Sequence, residues 1–174
     1  NPSVTFQVHN HHNFTWKEKH FGEDYWVVRK GCTPAFPNQL GFIGANMSDI
    51  SVIVEGVESE LSKSTLYSTV HGAGRVMSRT EAAGKRDRKT GQLKLDKLTG
   101  QPLKPGKVTS DMMDEWISRE GVILRGGGLD ESPHAYRRLP EVLAAQGDTV
   151  TVLNTLKPII VVMAGAHEFD PYKD

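Results

Sequence analysis

The sequence predicts a mixed α+β fold in which small β-sheets combine with a few short helices. Segments rich in valine, isoleucine and aromatic residues are typical of strands and occur toward both ends of the chain, whereas the helical patterns are short and stop at glycine. No internal repeat or linker divides the 174 residues. Because a chain of this length can bury one sizeable core, residues 1–174 are expected to form a single domain.

Six segments are predicted to be strands, because β-branched and aromatic residues alternate there with polar ones between turn-forming residues. They are residues 4–8, 25–29, 50–55, 64–69, 150–156 and 159–163. The last two are separated at Lys157 and Pro158, because proline cannot donate to a strand ladder.

Three segments are predicted to be helices. Residues 75–83 form a short one. Ser110 caps a second helix that ends at Gly121, and its large apolar side chains lie on one side, as expected of a stripe that faces the core. Pro140 opens the third helix, which Gly147 closes.

Composition is typical of a globular protein from a reducing compartment. Hydrophobic residues make up 37% of the sequence, and no apolar run is long enough for a membrane span or a signal peptide. The single cysteine, Cys32, excludes an intrachain disulfide framework. These features predict a cytoplasmic protein without membrane contact.

The formal charge of the chain is zero, but residues 85–107 are strongly basic. Two acidic residues, Asp87 and Asp96, stand in this stretch among two Thr-Gly-Gln turns and two prolines. Its basic residues are Lys85, Arg86, Arg88, Lys89, Lys94, Lys97, Lys104 and Lys107. The composition predicts a mobile insertion, either a solvated loop or hairpin or a segment that contacts the phosphates of RNA.

The run His-Gly-Ala-Gly-Arg-Val-Met-Ser-Arg at residues 71–79 places a nitrogen nucleophile beside a glycine-rich backbone. The two glycines allow successive N–H groups to turn toward an anion, and Arg75 and Arg79 add guanidinium groups near the start of the predicted helix. The run therefore predicts a phosphate-binding site in which His71 is the reactive group. A glycine-rich turn with a surface histidine is the alternative.

Histidines are also concentrated near the N-terminus, where four of the seven in the chain occur within the first twenty residues. If the predicted strand continues through them, His9 and His11 share one face and His12 points to the other. Neutral imidazole is the commonest nitrogen ligand of divalent metals, and the following Asn13 can orient a nucleotide or another ligand. The cluster indicates either a metal site or purely structural histidines.

Six separated motifs resemble those of the RtcB family of RNA ligases, in identity and in order. They are His-His-Asn-Phe at 11–14, His-Phe-Gly-Glu at 20–23, Val-Val-Arg-Lys-Gly at 27–31, Ala-Asn-Met-Ser at 45–48 with Ser51, the run at 71–79, and Asp-Glu-Ser-Pro-His-Ala-Tyr-Arg at 130–137. The resemblance extends from His11 to Gly165, except for the basic insertion. It implies that the chain forms the C-terminal part of an RtcB-like catalytic fold.

The resemblance also implies an activity. Members of this family are GTP- and manganese-dependent ligases that join an RNA 3′-phosphate or 2′,3′-cyclic phosphate to a 5′-hydroxyl, as in tRNA splicing and RNA repair. A histidine of the family's His-Gly-x-Gly-Arg motif, which corresponds to His71, carries a covalent GMP. A neutral histidine nitrogen is a competent nucleophile at neutral pH, so the implied role suits the residue.

Further roles follow from the resemblance, position by position. His12 is implied to bind manganese and to lie at the nucleotide. The other residues implied to contact the nucleotide are Asn13, Gly44, Ala45, Asn46, Met47, Ser51, Gly72, Ala73 and Gly74. The residues implied to face RNA phosphates are Arg29, Lys30, Arg75 and Arg79. Solvated charges and ordinary polar surface are the alternatives for the basic residues and for Ser51.

The chain departs from the family pattern near the implied nucleotide site. Asn46 replaces a serine, and Ser48 stands where the family usually has a glycine, which matters if the backbone there needs a positive φ. Ala164 replaces a lysine that reaches the nucleotide in the family's C-terminal Val-Lys-Gly. Two alternatives therefore stay open: a paralogue that binds RNA ends or nucleotide without full ligase activity, and a GTP hydrolase.

Family members are much longer than this chain. Their N-terminal half carries an Asp-x-x-Cys motif and two further histidines that ligate the metal, and this sequence lacks them. We therefore interpret the sequence as the C-terminal portion of a longer protein. By itself it is expected to be an incomplete active site, because a single ligand histidine cannot hold manganese in a closed site.

Overall fold

The computed structural model describes residues 7–87 and 90–165, which form four small β-sheets and several short helices. This architecture confirms the predicted α+β class. The described residues divide into two compact units, each assembled from separate stretches of the chain. The first unit contains residues 7–45, 50–73 and 138–156, and the second contains residues 46–49, 74–87, 90–137 and 157–165.

A β-hairpin opens the first unit. Strands β1 (Asn13–His20) and β2 (Glu23–Lys30) are antiparallel, and Phe21 and Gly22 turn the chain between them with φ values of 52° and 88°. Glycine adopts this left-handed conformation without steric cost. Side chains alternate along both strands, and on one face Trp16, Glu18, His20, Val27 and Arg29 are buried or partly buried, whereas the opposite face is exposed.

Two further sheets complete the first unit. Strand β3 (Cys32–Pro34) pairs with β6 (Ser68–Val70). A three-stranded antiparallel sheet has the order β4 (Leu40–Ile43), β5 (Ser51–Gly56) and β8 (Val150–Leu156). The segments predicted at 25–29, 50–55 and 150–156 thus coincide with strands.

Helices α1 (Glu60–Ser64) and α4 (Leu139–Gln146) also belong to the first unit. The side chain of Ser59 caps α1, and Pro140 lies in the first turn of α4, where its missing N–H costs nothing. The core of this unit is apolar and consists of Ile43, Val52, Val54, Ala73 and Leu139. This core holds β4, which ends just before Gly44, and the start of the 71–79 run in one packed body.

The second unit contains helices α2 (Arg79–Ala83) and α3 (Ser110–Glu120) and the parallel strands β7 (Ile123–Arg125) and β9 (Ile160–Val162). Short 3-10 turns at 129–131 and 133–135 follow β7. The core of the unit consists of Met47, Ala82, Val108, Met113, Ile117, Val122 and Ala135. Among the described residues, no helix combines the length and the apolar character needed to cross a membrane.

The boundaries of α3 are close to the predicted ones. The Thr109 side chain accepts a hydrogen bond from the Met112 N–H, so the cap is one residue earlier than the predicted Ser110. Gly121 ends the helix with a φ of 69°, as predicted. The inward stripe is narrower than expected, because Met113 and Ile117 are buried while Met112 is 37% exposed.

Backbone hydrogen bonds organise the basic insertion into two consecutive turns. The Gly91 N–H donates to the Asp87 carbonyl and the Gly100 N–H donates to the Asp96 carbonyl, each at 2.9 Å. Both glycines have positive φ, which the repeated Thr-Gly-Gln sequence supplies. We call residues 85–87 and 90–107 the basic meander.

The middle segment of the basic meander pairs with both of its flanks. The Lys94 N–H donates to the Lys85 carbonyl at 2.8 Å, and the Leu103 N–H donates to the Lys94 carbonyl at 2.8 Å. Arg88 and Lys89, two of the predicted basic residues, lie outside the described residues. The described part of the insertion is a hydrogen-bonded meander whose lysines are exposed.

Two predicted strands are wrong in part. The first was predicted at residues 4–8, of which residues 4–6 lie outside the described residues. Residues 7–12 are not in a strand, and β1 begins only at Asn13. His9 and His11 therefore do not lie on a strand face. In the segment 64–69, helix α1 runs to Ser64, and Leu66 and Tyr67 adopt positive φ. Only its end belongs to a strand.

The predicted helix at 75–83 is also wrong at its N-terminal end. Helix α2 begins at Arg79, where the Ser78 side chain accepts from the Glu81 N–H. The preceding residues pair elsewhere, because the Val76 N–H donates to the Ala135 carbonyl at 2.8 Å. The helix therefore begins four residues later than predicted.

Candidate active site

His71 directly follows β6 and is held by the backbone of Gly44. The Gly44 N–H donates to the His71 carbonyl at 3.2 Å, and the Ala73 N–H donates to the Gly44 carbonyl at 3.1 Å. Gly72 lies between these two bonds, where a Cβ atom would approach the Gly44 carbonyl oxygen to 3.1 Å. The segments around Gly44 and His71, predicted to share a site, are thus adjacent.

This pairing corrects one part of the predicted phosphate cradle. The N–H of Ala73 was expected to turn toward an anion, but it is occupied by the Gly44 carbonyl. An N–H that already donates to a carbonyl gains little by binding a phosphate, because one hydrogen bond only replaces another. The Ala73 N–H is therefore not part of a phosphate site, and the side chain of His71 is the main chemical feature of this segment.

Gly31 connects His71 to the N-terminal histidines. Its N–H donates to the His12 carbonyl at 2.8 Å, and its own carbonyl oxygen lies 2.6 Å from Nδ1 of His71. The residue has a φ of 73°, which favours glycine, and it follows the last residue of β2. One glycine at the end of the hairpin thus binds both histidine segments.

The contact with Gly31 determines the tautomer of His71. A carbonyl oxygen only accepts hydrogen bonds, so the proton of the neutral imidazole resides on Nδ1. Nε2 then carries the free lone pair. Neutral imidazole with an unprotonated Nε2 is the form that attacks an electrophilic phosphorus.

His12 stacks on His71. The ring centroids are 4.6 Å apart and the planes are inclined by 23°. His9 and His11 contact each other instead, with their ring centroids 5.8 Å apart. Of the N-terminal histidines, His12 is therefore the one that the structure brings to His71.

The described residues do not form a complete metal site. Nowhere in the described part of the chain do three or more histidine, cysteine, aspartate or glutamate side chains form a group suited to a metal ion. The stacked pair of His12 and His71 offers at most two nitrogen donors, and a hard divalent ion requires more. Manganese thus does not fit these residues alone.

Arg29 is positioned differently from the implied phosphate contact. Its side chain is 1% exposed, and its guanidinium binds both carboxylate oxygens of Glu18, at 2.6 and 3.0 Å. Nε donates to the Ser68 hydroxyl at 2.9 Å, and Nη2 donates to the Leu66 carbonyl at 2.8 Å. Because these partners take up the donors of the buried guanidinium, Arg29 belongs to the interior of the fold and does not face RNA. Lys30, the next residue, is exposed.

Glu18 completes this buried cluster. Burial favours its neutral form, but hydrogen bonds from Arg29 and His20 outweigh burial, and the pKa of Glu18 is lowered from its ordinary value of 4.5. His20 Nε2 lies 2.8 Å from Oε2 of the same carboxylate. Glu18 is therefore ionised at neutral pH and compensates the charge of Arg29.

In the second unit, Arg75 and Arg79 bind acidic groups. Arg79 Nη1 pairs with Asp130 at 2.8 Å and also with Glu131. Arg75 donates to the Tyr136 hydroxyl at 2.8 Å and to the backbone carbonyls of Met77 and Asp130. The 71–79 run and the 130–137 motif are therefore linked through these arginines, which was not predicted. That Arg75 and Arg79 face RNA phosphates stays a prediction.

Tyr136 lies inside this cluster. Burial, followed by its hydrogen bond to Glu131, raises the pKa of Tyr136 to about 12. The hydroxyl is neutral at any physiological pH and bridges Glu131 to Arg75. It therefore positions the two charged groups without titrating itself.

The loop at 46–49 is folded on the side chain of Asn46. Its Oδ1 accepts from the N–H groups of Ser48 and Asp49, both at 3.0 Å. The φ of Ser48 is not positive, so a serine stands at this position without backbone strain. Met47 is 7% exposed and packs in the core of the second unit, so its side chain is not available to a nucleotide.

The other implied residues occupy varied positions. Asn13 is the first residue of β1 and pairs with Lys30, whereas Ser51 is the first residue of β5. Ala45 packs partly against the core of the first unit. Gly74, the first residue of its stretch in the second unit, has a φ of 73°. Ala164 is exposed and accepts a hydrogen bond from the Gly127 N–H at 2.8 Å.

Sequence reasoning did not predict the role of Gly31. The residue was part of the Val-Val-Arg-Lys-Gly motif, but a backbone carbonyl carries no sequence signal that identifies its partner. The only available indication was the glycine itself, because a positive φ after a strand is a common reason for glycine.

Comparison with known proteins agrees with the geometry. A family model described as tRNA-splicing ligase RtcB matches residues 1–164. The RNA-splicing ligase RtcB of Escherichia coli K12 is 36% identical over 156 residues, which cover 90% of this chain and 32% of that protein. The tRNA-splicing ligase RtcB of Methanopyrus kandleri is 31% identical over 177 residues, covering 87% of this chain and 16% of that protein.

A eukaryotic relative is similar as well. The RNA-splicing ligase RtcB homolog 1 of Entamoeba dispar is 31% identical over 156 residues, covering 78% of this chain and 25% of that protein. The chain spans about a third of the length of the first relative it matches. Since the family match covers nearly the whole chain and includes the segments of His12, Gly31 and His71, the chain belongs to the RtcB family of RNA ligases.

Proposed function

We propose that the intact protein is a GTP-dependent RNA ligase that acts through a covalent guanylate on His71. The observation that carries the proposal is the hydrogen bond between Nδ1 of His71 and the Gly31 carbonyl, which leaves Nε2 as the nucleophile. The relatives' names, which specify RNA-splicing and tRNA-splicing ligases, support RNA as the substrate.

In the first step, Nε2 of His71 attacks the α-phosphorus of GTP. A phosphorus–nitrogen bond forms, the bond between the α-phosphorus and the bridging oxygen breaks, and pyrophosphate leaves with the electron pair. The imidazole keeps its proton on Nδ1, where the Gly31 carbonyl stabilises the positive charge that develops on the ring. The His12 ring restricts His71 to one orientation by stacking.

In the second step, an RNA 3′-phosphate oxygen attacks the guanylate phosphorus and the phosphorus–nitrogen bond breaks, which regenerates His71. A 2′,3′-cyclic phosphate must first be opened by water. The RNA 5′-hydroxyl then attacks the activated 3′-phosphate, loses its proton, and displaces GMP. Dividing one difficult phosphoryl transfer into such covalent steps lowers the barrier of each.

We propose that the nucleotide contacts implied by the resemblance are made in the intact protein. Asn46 is the most specific candidate, because its Nδ2 atom is buried and has no hydrogen-bond partner among the described residues. A buried donor without a partner costs free energy, which a ligand acceptor recovers. Asn13, Ala45, Ser51, Gly72 and Gly74 are proposed to make the nucleotide contacts that the resemblance implies, whereas Gly44 positions the His71 segment through its paired backbone.

The described residues supply no complete site for manganese. We propose that His12 contributes one ligand in the intact protein, beside ligands from a segment that corresponds to the family's N-terminal half. When bound, such an ion would neutralise phosphate charge. Two features of this chain fit that role for His12: an exposed ring and a position against the nucleophile.

The proposal is tested by incubating the intact protein with manganese and GTP labelled at the α-phosphate, and by mapping the labelled peptide. We expect one acid-labile adduct on His71 and its loss in His71→Ala. His9→Ala, which removes an exposed histidine from the same unit, is the matched control and should keep the label.

Two outcomes would contradict the ligase. Label on a lysine, or its absence under conditions that support metal binding, would exclude the His71 guanylate. Labelling or GTP turnover without joining of RNA ends would instead favour a nucleotide-binding paralogue or a GTP hydrolase, the functions that the replacement of the family lysine by Ala164 keeps open.

A further inference from the structure

The outer face of the hairpin carries an exposed tryptophan among lysines. The strand register places Lys17 opposite Trp26, Thr15 opposite Val28, and Lys19 opposite Asp24 on this face. Trp26 is 71% exposed and Val28 is 70% exposed. We call this surface, formed by Asn13, Thr15, Lys17, Lys19, Asp24, Trp26, Val28 and Lys30, the outer hairpin face.

Exposure of this degree is costly for a tryptophan, because burying its ring against a partner releases a large apolar area from water. The hairpin is packed on its other face, where the guanidinium carbon of Arg29 lies 5.2 Å from the ring centroid of Trp16. Trp26 makes no comparable contribution to the fold.

The charge of the outer hairpin face is positive. Three lysines stand against one aspartate, and Asp24 already pairs with Lys17 at 2.9 Å. Within the described part of the chain, neither Lys19 nor Lys30 has a carboxylate partner within ion-pair distance. An aromatic ring between uncompensated lysines attracts a polyanion that also offers flat bases.

We propose that the outer hairpin face binds single-stranded RNA, with a base stacked on Trp26 and phosphates at Lys19 and Lys30. The inference rests on the proposed function for the identity of the nucleic acid. It goes beyond that function because it assigns a binding surface to a stretch of RNA that lies away from the reacting ends. A protein partner is disfavoured, because binding interfaces are depleted in lysine.

The position of the face supports this assignment. Lys30 immediately precedes Gly31, whose carbonyl binds His71. Trp26 lies four residues earlier on β2, and a strand rises about 3.3 Å per residue, so the tryptophan lies roughly 13 Å from that end of the strand. A few extended nucleotides cover this distance, which places RNA on the hairpin while its end reaches His71.

The experiment measures binding of a fluorescent single-stranded RNA twelve nucleotides long to the intact protein. Removing a ring on which a base stacks lowers affinity by roughly 5- to 150-fold, so Trp26→Ala should weaken binding by that factor. Trp26→Phe should recover part of the loss. Lys19→Ser should weaken binding at low salt and lose its effect at high salt.

Phe21→Ala is the matched control. Phe21 is also 71% exposed and belongs to the same hairpin, but it lies in the turn rather than on the outer hairpin face. Its removal should leave RNA affinity unchanged. Thermal unfolding of each variant checks that the hairpin stays folded, and quenching of tryptophan fluorescence by RNA should disappear in Trp26→Ala.

Unchanged RNA affinity in Trp26→Ala, or an equal loss in Phe21→Ala, would overturn the proposal. Tighter binding of duplex RNA than of single strands would also overturn it, because stacked bases cannot reach the ring. Guanylylation of the wild-type protein is measured separately. A protein that binds RNA through Trp26 but forms no His71 adduct would contradict the proposed function alone.

Discussion

The Nδ1 atom of His71 lies 2.6 Å from the carbonyl oxygen of Gly31, the residue that directly follows strand β2. This contact joins two motifs separated by forty residues and determines which imidazole nitrogen is free. Gly31 reaches this position with a φ of 73°, a conformation that strains any residue with a side chain. The tautomer of His71 therefore depends on a backbone conformation at the end of a hairpin.

Gly31→Ala should separate chemistry from stability. An added Cβ meets only His71 atoms at 3.8 and 3.9 Å, so the cost is conformational, about 1–2 kcal/mol. Relief of that strain rotates the carbonyl away from Nδ1, and we expect the rate of guanylylation to fall about 10- to 100-fold. Rates are measured under single-turnover conditions with labelled GTP.

Gly22→Ala is the matched control for Gly31→Ala. Gly22 belongs to the same hairpin, has a φ of 88°, and has no atom within 4 Å of an added Cβ. It should lose similar stability in urea unfolding while it keeps the rate. Equal rate losses in the two variants would show that the Gly31 carbonyl has no specific role.

His12 should act as a metal ligand in the intact protein. His12→Phe keeps a ring that can stack on His71 but removes the nitrogen donors, so we expect at least a tenfold loss of manganese affinity by calorimetry. The 174-residue chain alone should bind manganese weakly, because its described residues lack a three-donor group. Tight binding abolished by His9→Ala or His11→Ala would show that another histidine is the ligand.

Glu18→Gln should destabilise the hairpin strongly. Arg29 is 1% exposed, and removal of its carboxylate partner leaves a buried charge, which costs about 3–5 kcal/mol. Asp24→Asn in the same hairpin breaks an ion pair with Lys17 whose side chains are 58% and 59% exposed, and it should cost less than about 1 kcal/mol. Urea unfolding of the intact protein compares the two variants.

The same cluster predicts a pH dependence. The pKa of Glu18 is lower in the folded protein than its ordinary value of 4.5, so its contribution to stability is complete above that value. The contribution decreases as the pH falls through the lower folded pKa, because the protonated acid no longer compensates Arg29. Glu18→Gln should therefore lose less stability, relative to wild type, at pH 3 than at pH 7. An equal difference at both pH values would contradict the linkage.

The basic meander should contribute to RNA affinity through charge alone. Replacing Lys85, Lys97 and Lys104 with serine should weaken RNA binding equally for different sequences and reduce the salt slope by up to about one per lost phosphate contact. Lys63→Ser, a lysine already paired with Glu58 and Glu60, is the control. An unchanged slope would identify the basic meander as a solvated surface segment.

Regular elements with strong local signals were predicted well. Strand β8 coincides with residues 150–156, and α4 begins near Pro140 and ends at Gly147, because periodicity and punctuation by proline and glycine are local properties. The division into two units had no such signal. Each unit consists of several stretches, so the chain passes between units without a linker.

The elements that failed were overruled by distant contacts. Leu66 adopts positive φ where a strand was predicted, and its carbonyl accepts from the buried Arg29. Residues 75–78 do not form the predicted helix, because the Val76 N–H is donated to Ala135 and Arg75 is held by Tyr136. Local propensity is weaker than a buried hydrogen-bond network of this kind.

The sequence by itself determined the family and the fold class, and it gave the prediction that His71 is the reactive residue, because these depend on residue types in a fixed order. Only the tertiary structure decided which His71 nitrogen is free, that His12 is its neighbour, and that Arg29 is buried against Glu18 rather than available to RNA. The physical reason is that a tautomer and the burial of a charge depend on atoms brought together across the chain, and residue spacing carries no record of them.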